Sequence, residues 1–194
     1  MSTNALSYGL IPVFHPTGQG RANKYTILST YAKNIFKGDL VKVGTNGTIE
    51  IGDGTTPCLG VFAGCEYIDA QGKPTVSPYW PTGTTATNIV AYVYDDQQTV
   101  FKTCVTANAS GYDQTVVGQQ CNFFDASTNN TSGNVNTGLS GGSVVTAAIA
   151  AATLAQLRII GYVNGEVYNA TTNPYPELLV QLAEVQFAPN AAGV

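Results

Sequence analysis

Apolar and polar positions alternate with a period of two along most of the chain, which predicts strands rather than helices. The stretch from Thr56 to Thr84 organises this pattern. Across Cys58–Tyr67, Leu59, Val61, Ala63, Cys65 and Tyr67 fall on one face, and Gly60, Phe62, Gly64 and Glu66 on the other. The first set reads as a core-facing side. The second is mostly glycine around one Phe, a surface that lets another backbone approach closely. A turn at Asp69-Ala70-Gln71-Gly72 leads to a second extended run, closed by Pro78-Tyr79-Trp80-Pro81, where proline stops the strand.

Other strands follow from the same alternation. Tyr25–Leu28 and Asp39–Val43 come first, and Asn46-Gly47 is a hairpin signal joining Leu40–Val43 to Thr48–Ile51. Asn88–Tyr94 places Ile89, Ala91 and Val93 on one face, and Asp95–Gln98 turns the chain back into Val100–Val105. Gln156–Val163 and Leu178–Phe187 complete the set. In the last of these, Leu179, Ala183, Val185 and Phe187 share a face with Gln181, and that face is assigned to the core. The predicted fold is mainly β, a β-sandwich or β-barrel, with β-tulip geometry as one variant.

Two segments break the pattern. Residues 1–24 read as an extended N-terminal arm, because Gly9, Pro12, Pro16, Gly18 and Gly20 forbid a helix and interrupt a strand. Leu10, Ile11, Val13 and Phe14 cannot be buried within such an arm. They must lie on the arm's own body, on a second copy, or on the sheet edge of another protein. Residues 25–194 form a single β domain, from which about 106–150 departs as an irregular surface excursion rich in Asn, Ser, Thr and Gly. Val116-Val117 and Cys121–Phe124 are its only apolar anchors before the alanine-rich run Val144–Leu154, which is assigned to a short helix.

Composition narrows the function. Only 10% of the 194 residues are charged, far below the usual quarter, and the formal net charge is -4. Eight Lys and Arg residues without a cluster cannot neutralise a run of phosphates, which excludes a nucleic-acid partner. No run reaches the roughly 18 apolar residues of a membrane span. A surface so poor in charge is tolerable when partners or copies of the chain cover it. The four cysteines lack a C-x-x-C pair and only one histidine is present, so no metal site is expected and the thiols are read as free and buried.

Candidate chemistry is sparse. His15 lies in the arm without a nucleophile nearby in sequence. Asp95-Asp96, and Glu66 with Asp69, were weighed against a glycosidase pair, but turn chemistry accounts for both. Calcium binding at Asp53-Gly54 or Asp125–Asn130 lacks the spacing of a known loop. Tyr79 and Trp80, with Tyr92 and Tyr94, offer a sugar platform, although core packing and interface anchoring are the commoner uses of such residues. No catalytic residue and no cofactor are assigned.

The arm Gly9-Leu-Ile-Pro-Val-Phe-His-Pro16, the Lys37-Gly-Asp-Leu-Val41 strand, Leu59-Gly-Val-Phe-Ala-Gly-Cys-Glu-Tyr67, Val76-Ser-Pro-Tyr-Trp-Pro81, Leu157-Arg-Ile-Ile-Gly161 and the Leu178–Phe187 strand together resemble the capsid decoration, or cement, proteins of tailed bacteriophages. The resemblance covers most of the chain apart from about 106–150. It implies a non-enzymatic virion protein, made in the host cytoplasm, that binds the outside of an icosahedral capsid. Such a protein would form a homotrimer and clamp adjacent major capsid proteins. Leu10, Ile11, Pro12, Val13 and Phe14 would then bind the capsid, and Tyr79 and Trp80 the neighbouring subunit. The alternative is a tail-fibre or spike adhesion module that binds a host-surface glycan.

Overall fold

A computed structural model describes residues 7–18, 20–52, 57–107, 112–124, 133–145 and 155–187. In chain order the strands are β1 (Ile11–Phe14), β2 (Asn23–Tyr25), β3 (Ile35–Phe36), β4 (Leu40–Val43), β5 (Ile49–Ile51) and β6 (Gly60–Asp69). Then follow β7 (Pro74–Ser77), β8 (Tyr79–Trp80), β9 (Ala86–Tyr94), β10 (Val100–Ala107), β11 (Gln120–Cys121) and β12 (Phe123–Phe124). The last are β13 (Gly133–Asn134), β14 (Leu139–Ser140), β15 (Ser143–Val145), β16 (Leu157–Tyr162) and β17 (Glu177–Leu182).

They build a β-sandwich-like fold from two open sheets, so the barrel alternative is not realised. A seven-stranded sheet runs β11-β16-β17-β10-β15-β12, with β1 added to β10. A six-stranded sheet runs β2-β9-β6-β4-β5, with β7 added to β6. The pairs β3–β8 and β13–β14 stand apart. Two apolar clusters result. One gathers Phe101, Leu157, Ile159, Leu178 and Val180 of the first sheet with Leu40 and Val61 of the second. The other covers the opposite side of the second sheet with Phe62, Cys65, Ala91 and Val93, closed by Ile35 and Trp80. Strand β6 is thus buried on both faces.

Within β6 the simple alternation fails at a bulge. Its register against β9 shifts between Phe62 and Gly64, where Gly64 adopts φ 140°. Before the bulge Val61 faces one cluster and Phe62 the other; after it Cys65 and Tyr67 join the side of Phe62. The glycine-and-Phe face is therefore a core face, and Phe62 is fully buried.

Three further expectations are corrected. Asp95–Gln98 does not close a hairpin: β9 belongs to the second sheet and β10 to the first, so this turn carries the chain from one to the other. In β17 the buried positions are Leu178, Val180 and Leu182, while Leu179 and Gln181 are half-buried; the opposite phase from that expected is the core phase. The segment after β10 is not purely a surface excursion. Tyr112, Val116, Cys121 and Phe123 are buried in the first cluster, and β11, β12 and β15 extend the main sheet. Of the expected helix Val144–Leu154, residues 144 and 145 are strand, and 146–154 lie outside the described residues. The Asn46-Gly47 hairpin between β4 and β5 forms, with Val43 opposite Ile49.

Candidate functional site

The N-terminal segment is the place where sequence and structure part most. Its described residues lie on the molecule itself. β1 runs antiparallel to β10, with Ile11 opposite Lys102 and Pro12 opposite Phe101. The Leu10 N–H donates to the Gly38 carbonyl at 2.9 Å and the Gly9 N–H to Gly142 at 3.0 Å. Leu10 is buried in the first cluster, so it is core rather than capsid contact. Of the covers open to Leu10–Phe14, the arm's own body is realised for the backbone, because β10 offers an edge within the same chain.

Docking leaves the other side chains outward. Ile11, Val13 and Phe14 are 38%, 48% and 60% exposed. Within the described residues β1 pairs with β10 alone, so its second edge has no strand. Natural edge strands usually carry charge to prevent association. This one carries none; its blunting devices are a proline, its length of four residues and a break in register between Pro12 and Phe14.

Two depressions adjoin along β1 and share Pro12 and Tyr94. One, of about 130 Å³, is lined by Leu10, Ile11, Val61, Phe62 and Leu139, with exposed Lys37 among its lining residues. The other, of about 210 Å³, is bounded by Val13, Phe14, His15 and Thr99. Thr99 is 1% exposed, and its Oγ1 has no hydrogen-bond partner among the described residues.

His15 closes the end of the arm. The Thr17 N–H donates to His15 Nδ1 at 3.2 Å, so that nitrogen accepts and Nε2–H donates to Asp96 Oδ2 at 3.0 Å. Thr17 Oγ1 lies 2.7 Å from Nδ1. No local signal in the sequence joins this pair, because 81 residues separate the partners and the crossover between sheets brings them together.

The carboxylates weighed for catalysis are occupied structurally. Asp95 accepts from Asn23 Nδ2 at 2.8 and 3.0 Å and from the Tyr25 hydroxyl at 2.5 Å. The Gln98 N–H, with His15, holds the Asp96 carboxyl below the usual carboxylate range. That is opposite to the raised value of a general acid. Both line an open depression of about 420 Å³ with Leu59, Val185 and Phe187. Glu66 accepts from the Tyr92 hydroxyl at 2.8 Å, and Asp69 accepts from the Gln71 and Lys73 N–H groups, both at 2.9 Å, in its turn.

Trp80 is fully buried, with Tyr67 edge-on at 5.3 Å, and Tyr79 stacks on Phe36 at 5.3 Å. Trp80 is therefore a core residue, available to neither a subunit interface nor a sugar platform; Tyr79 is half-buried. Among the described residues no group of three His, Cys, Asp or Glu side chains could hold a metal ion. The calcium candidates Asp53-Gly54 and Asp125–Asn130 lie outside the described residues. All four cysteines are buried and unbridged. Burial pushes the thiols of Cys58, Cys65 and Cys121 up to about 12 and that of Cys104 up to about 11. Among the described residues no helix is long and apolar enough to cross a membrane. No family model matches the chain, and no curated protein or solved structure is significantly similar to it.

Proposed function

We propose that the protein is a non-enzymatic capsid decoration protein of a tailed phage, which binds the outside of the shell and holds adjacent major capsid proteins together. One observation carries the reading: a docked, uncharged edge strand that turns Ile11, Val13 and Phe14 toward solvent. Such a strand is a ready surface for association with another sheet or chain. The low charge of the whole chain agrees with a surface meant to be covered. The anchor differs from a free tail, since Leu10 and Gly9 root the strand in its own body and only its outer side meets the shell. A homotrimer at a three-fold position of the capsid belongs to the same proposal, with the major capsid protein as partner.

Co-sedimentation with expanded, undecorated capsids of the source phage tests this reading. The wild-type protein should saturate the particles. The triple variant I11S/V13S/F14S, with an unchanged circular-dichroism spectrum, should remain in the supernatant. Failure of the wild type to bind would overturn the decoration reading. Equal binding by the folded variant would overturn the role of β1.

A further inference from the structure

We infer that the cleft along β1 is a receptor for an extended segment of another protein, apolar at alternating positions and carrying a carboxylate at one end. The inference goes beyond the capsid reading, because it names the chemistry of the contacted segment and holds for whichever assembly supplies it.

Three independent features converge there. The first is the backbone. β1 pairs with β10 on one side only, and residues 11–14 make no other backbone hydrogen bond among the described residues. An added strand would satisfy the remaining groups, and the pairing would be short because Pro12 lacks an N–H.

The second feature is the pair of adjoining depressions meeting at Pro12 and Tyr94. Strand addition draws its affinity from main-chain hydrogen bonds and its specificity from pockets that take alternate side chains. The depression beside Ile11 and Leu139 is walled by Val61 and Phe62, and suits a branched apolar side chain.

The third feature is polar. Lys37 belongs to the lining of the apolar depression, and no carboxylate among the described residues pairs with it. By contrast Lys42 and Lys102 are paired with Glu50 and Glu177. An uncompensated cation beside an apolar pocket selects a carboxylate on the incoming segment. At the other end the buried Thr99 hydroxyl bounds the second depression without a partner among the described residues. A buried hydroxyl left in that state is costly, and a polar group of the segment would satisfy it. A second copy of this chain is the weaker occupant: edge strands β1 and β7 carry no carboxylate to meet Lys37, and in edge strand β5 Glu50 is paired with Lys42 while Ile49 and Ile51 are buried.

Terminally blocked hexapeptides of alternating Val and Thr test this with the full chain, followed by backbone amide NMR. One peptide carries Asp at both ends, a second Lys at both ends, and a third is the acidic peptide with N-methylated central amides. The acidic peptide should shift the amides of residues 11, 13 and 14 and those of Lys37, Tyr94 and Thr99. The N-methylated peptide should bind at least about tenfold more weakly. Lys37→Glu lies on the surface and should leave the spectrum elsewhere unchanged. It should reverse the preference between acidic and basic peptides, by about two- to fivefold each way. Thr99→Val should weaken the acidic peptide by about three- to tenfold.

The inference is overturned by equal binding of the two charged peptides, by shifts away from the cleft, or by no binding at about 1 mM peptide. Self-association that saturates the same amides would overturn it in favour of a second copy. Peptide binding by a protein that ignores capsids would leave the inference standing and remove the capsid reading, and the reverse result would do the opposite.

Discussion

The imidazole Nε2 of His15 lies 3.0 Å from Oδ2 of Asp96, joining the end of the arm to the turn that carries the chain between sheets. His15 is buried although it stands in a glycine- and proline-rich segment, and Asp96 is largely exposed. The contact fixes where β1 ends. It also ties the outward strand to the turn between β9 and β10.

The pH dependence of that tie has a definite sign. The folded carboxyl of Asp96 titrates below its ordinary value, chiefly because the Gln98 N–H donates to it, with His15 adding to the effect. A depressed carboxylate contributes stability above its unfolded value of about 3.9, and that contribution is lost as pH falls through the folded value. Asp96→Asn should therefore lower the melting temperature near pH 6, by an amount that shrinks as the pH falls through the carboxylate range. The effect should correspond to less than about 1 kcal/mol, since the group is exposed. Thermal melts of both proteins across this range measure it; a difference that widens on acidification would contradict the assignment.

The root of the arm is testable at Gly9. It adopts φ 74°, and a Cβ there would lie 2.5 Å from Ser140 Cβ and 2.7 Å from the Gly38 carbonyl oxygen. Gly9→Ala should cost about 2 kcal/mol or more through strain and overlap. Urea denaturation should show a lower midpoint with an unchanged slope. An unaffected midpoint would mean that the arm is not rooted in the body.

Trp80 should behave as a core residue. Its emission should be blue-shifted and resist acrylamide quenching in the native protein, because its side chain is fully buried beside Tyr67. Trp80→Ala should destabilise the fold by about 4 kcal/mol. Ready quenching of the native protein would restore an exposed aromatic platform and with it the glycan-binding alternative.

The thiols should be inert. With Cys58, Cys65 and Cys121 pushed up to about 12 and Cys104 to about 11 by burial, the thiolate fraction near pH 8 is negligible. A disulfide-exchange reagent should therefore modify none of them in the native protein on the minute scale and all four after denaturation. One fast native thiol would contradict the packing described.

The strand-rich class of the fold was legible because period-two alternation records burial on one face. It misled where that premise failed. The face of Gly60, Phe62 and Gly64 reads as one that another backbone approaches; β6 is in fact covered on both sides, and a bulge at Gly64 changes its phase. Gln181 was assigned to the core with Leu179, whereas Leu178, Val180 and Leu182 fill it. Asp95-Asp96 resembles a hairpin turn, and local residues cannot tell a hairpin from a crossover between sheets. The anchors Val116 and Cys121–Phe124 stand out in a polar stretch, but Tyr112 does not, although it too reaches the core. The apolar residues Ile11–Phe14 were visible in the sequence, but their strand pairing with β10 was not, since partners as far apart as Ile11 and Lys102 leave no local signal. Separation along the chain also concealed the His15–Asp96 contact and the cleft between Lys37 and Thr99.

A cryo-electron microscopy reconstruction of the decorated capsid tests the central claim most directly. The account predicts that β1 faces the shell, with a capsid segment about 4.8 Å from its free edge and Ile11, Val13 and Phe14 covered. A particle in which this strand points to solvent while another face of the protein touches the shell would contradict it.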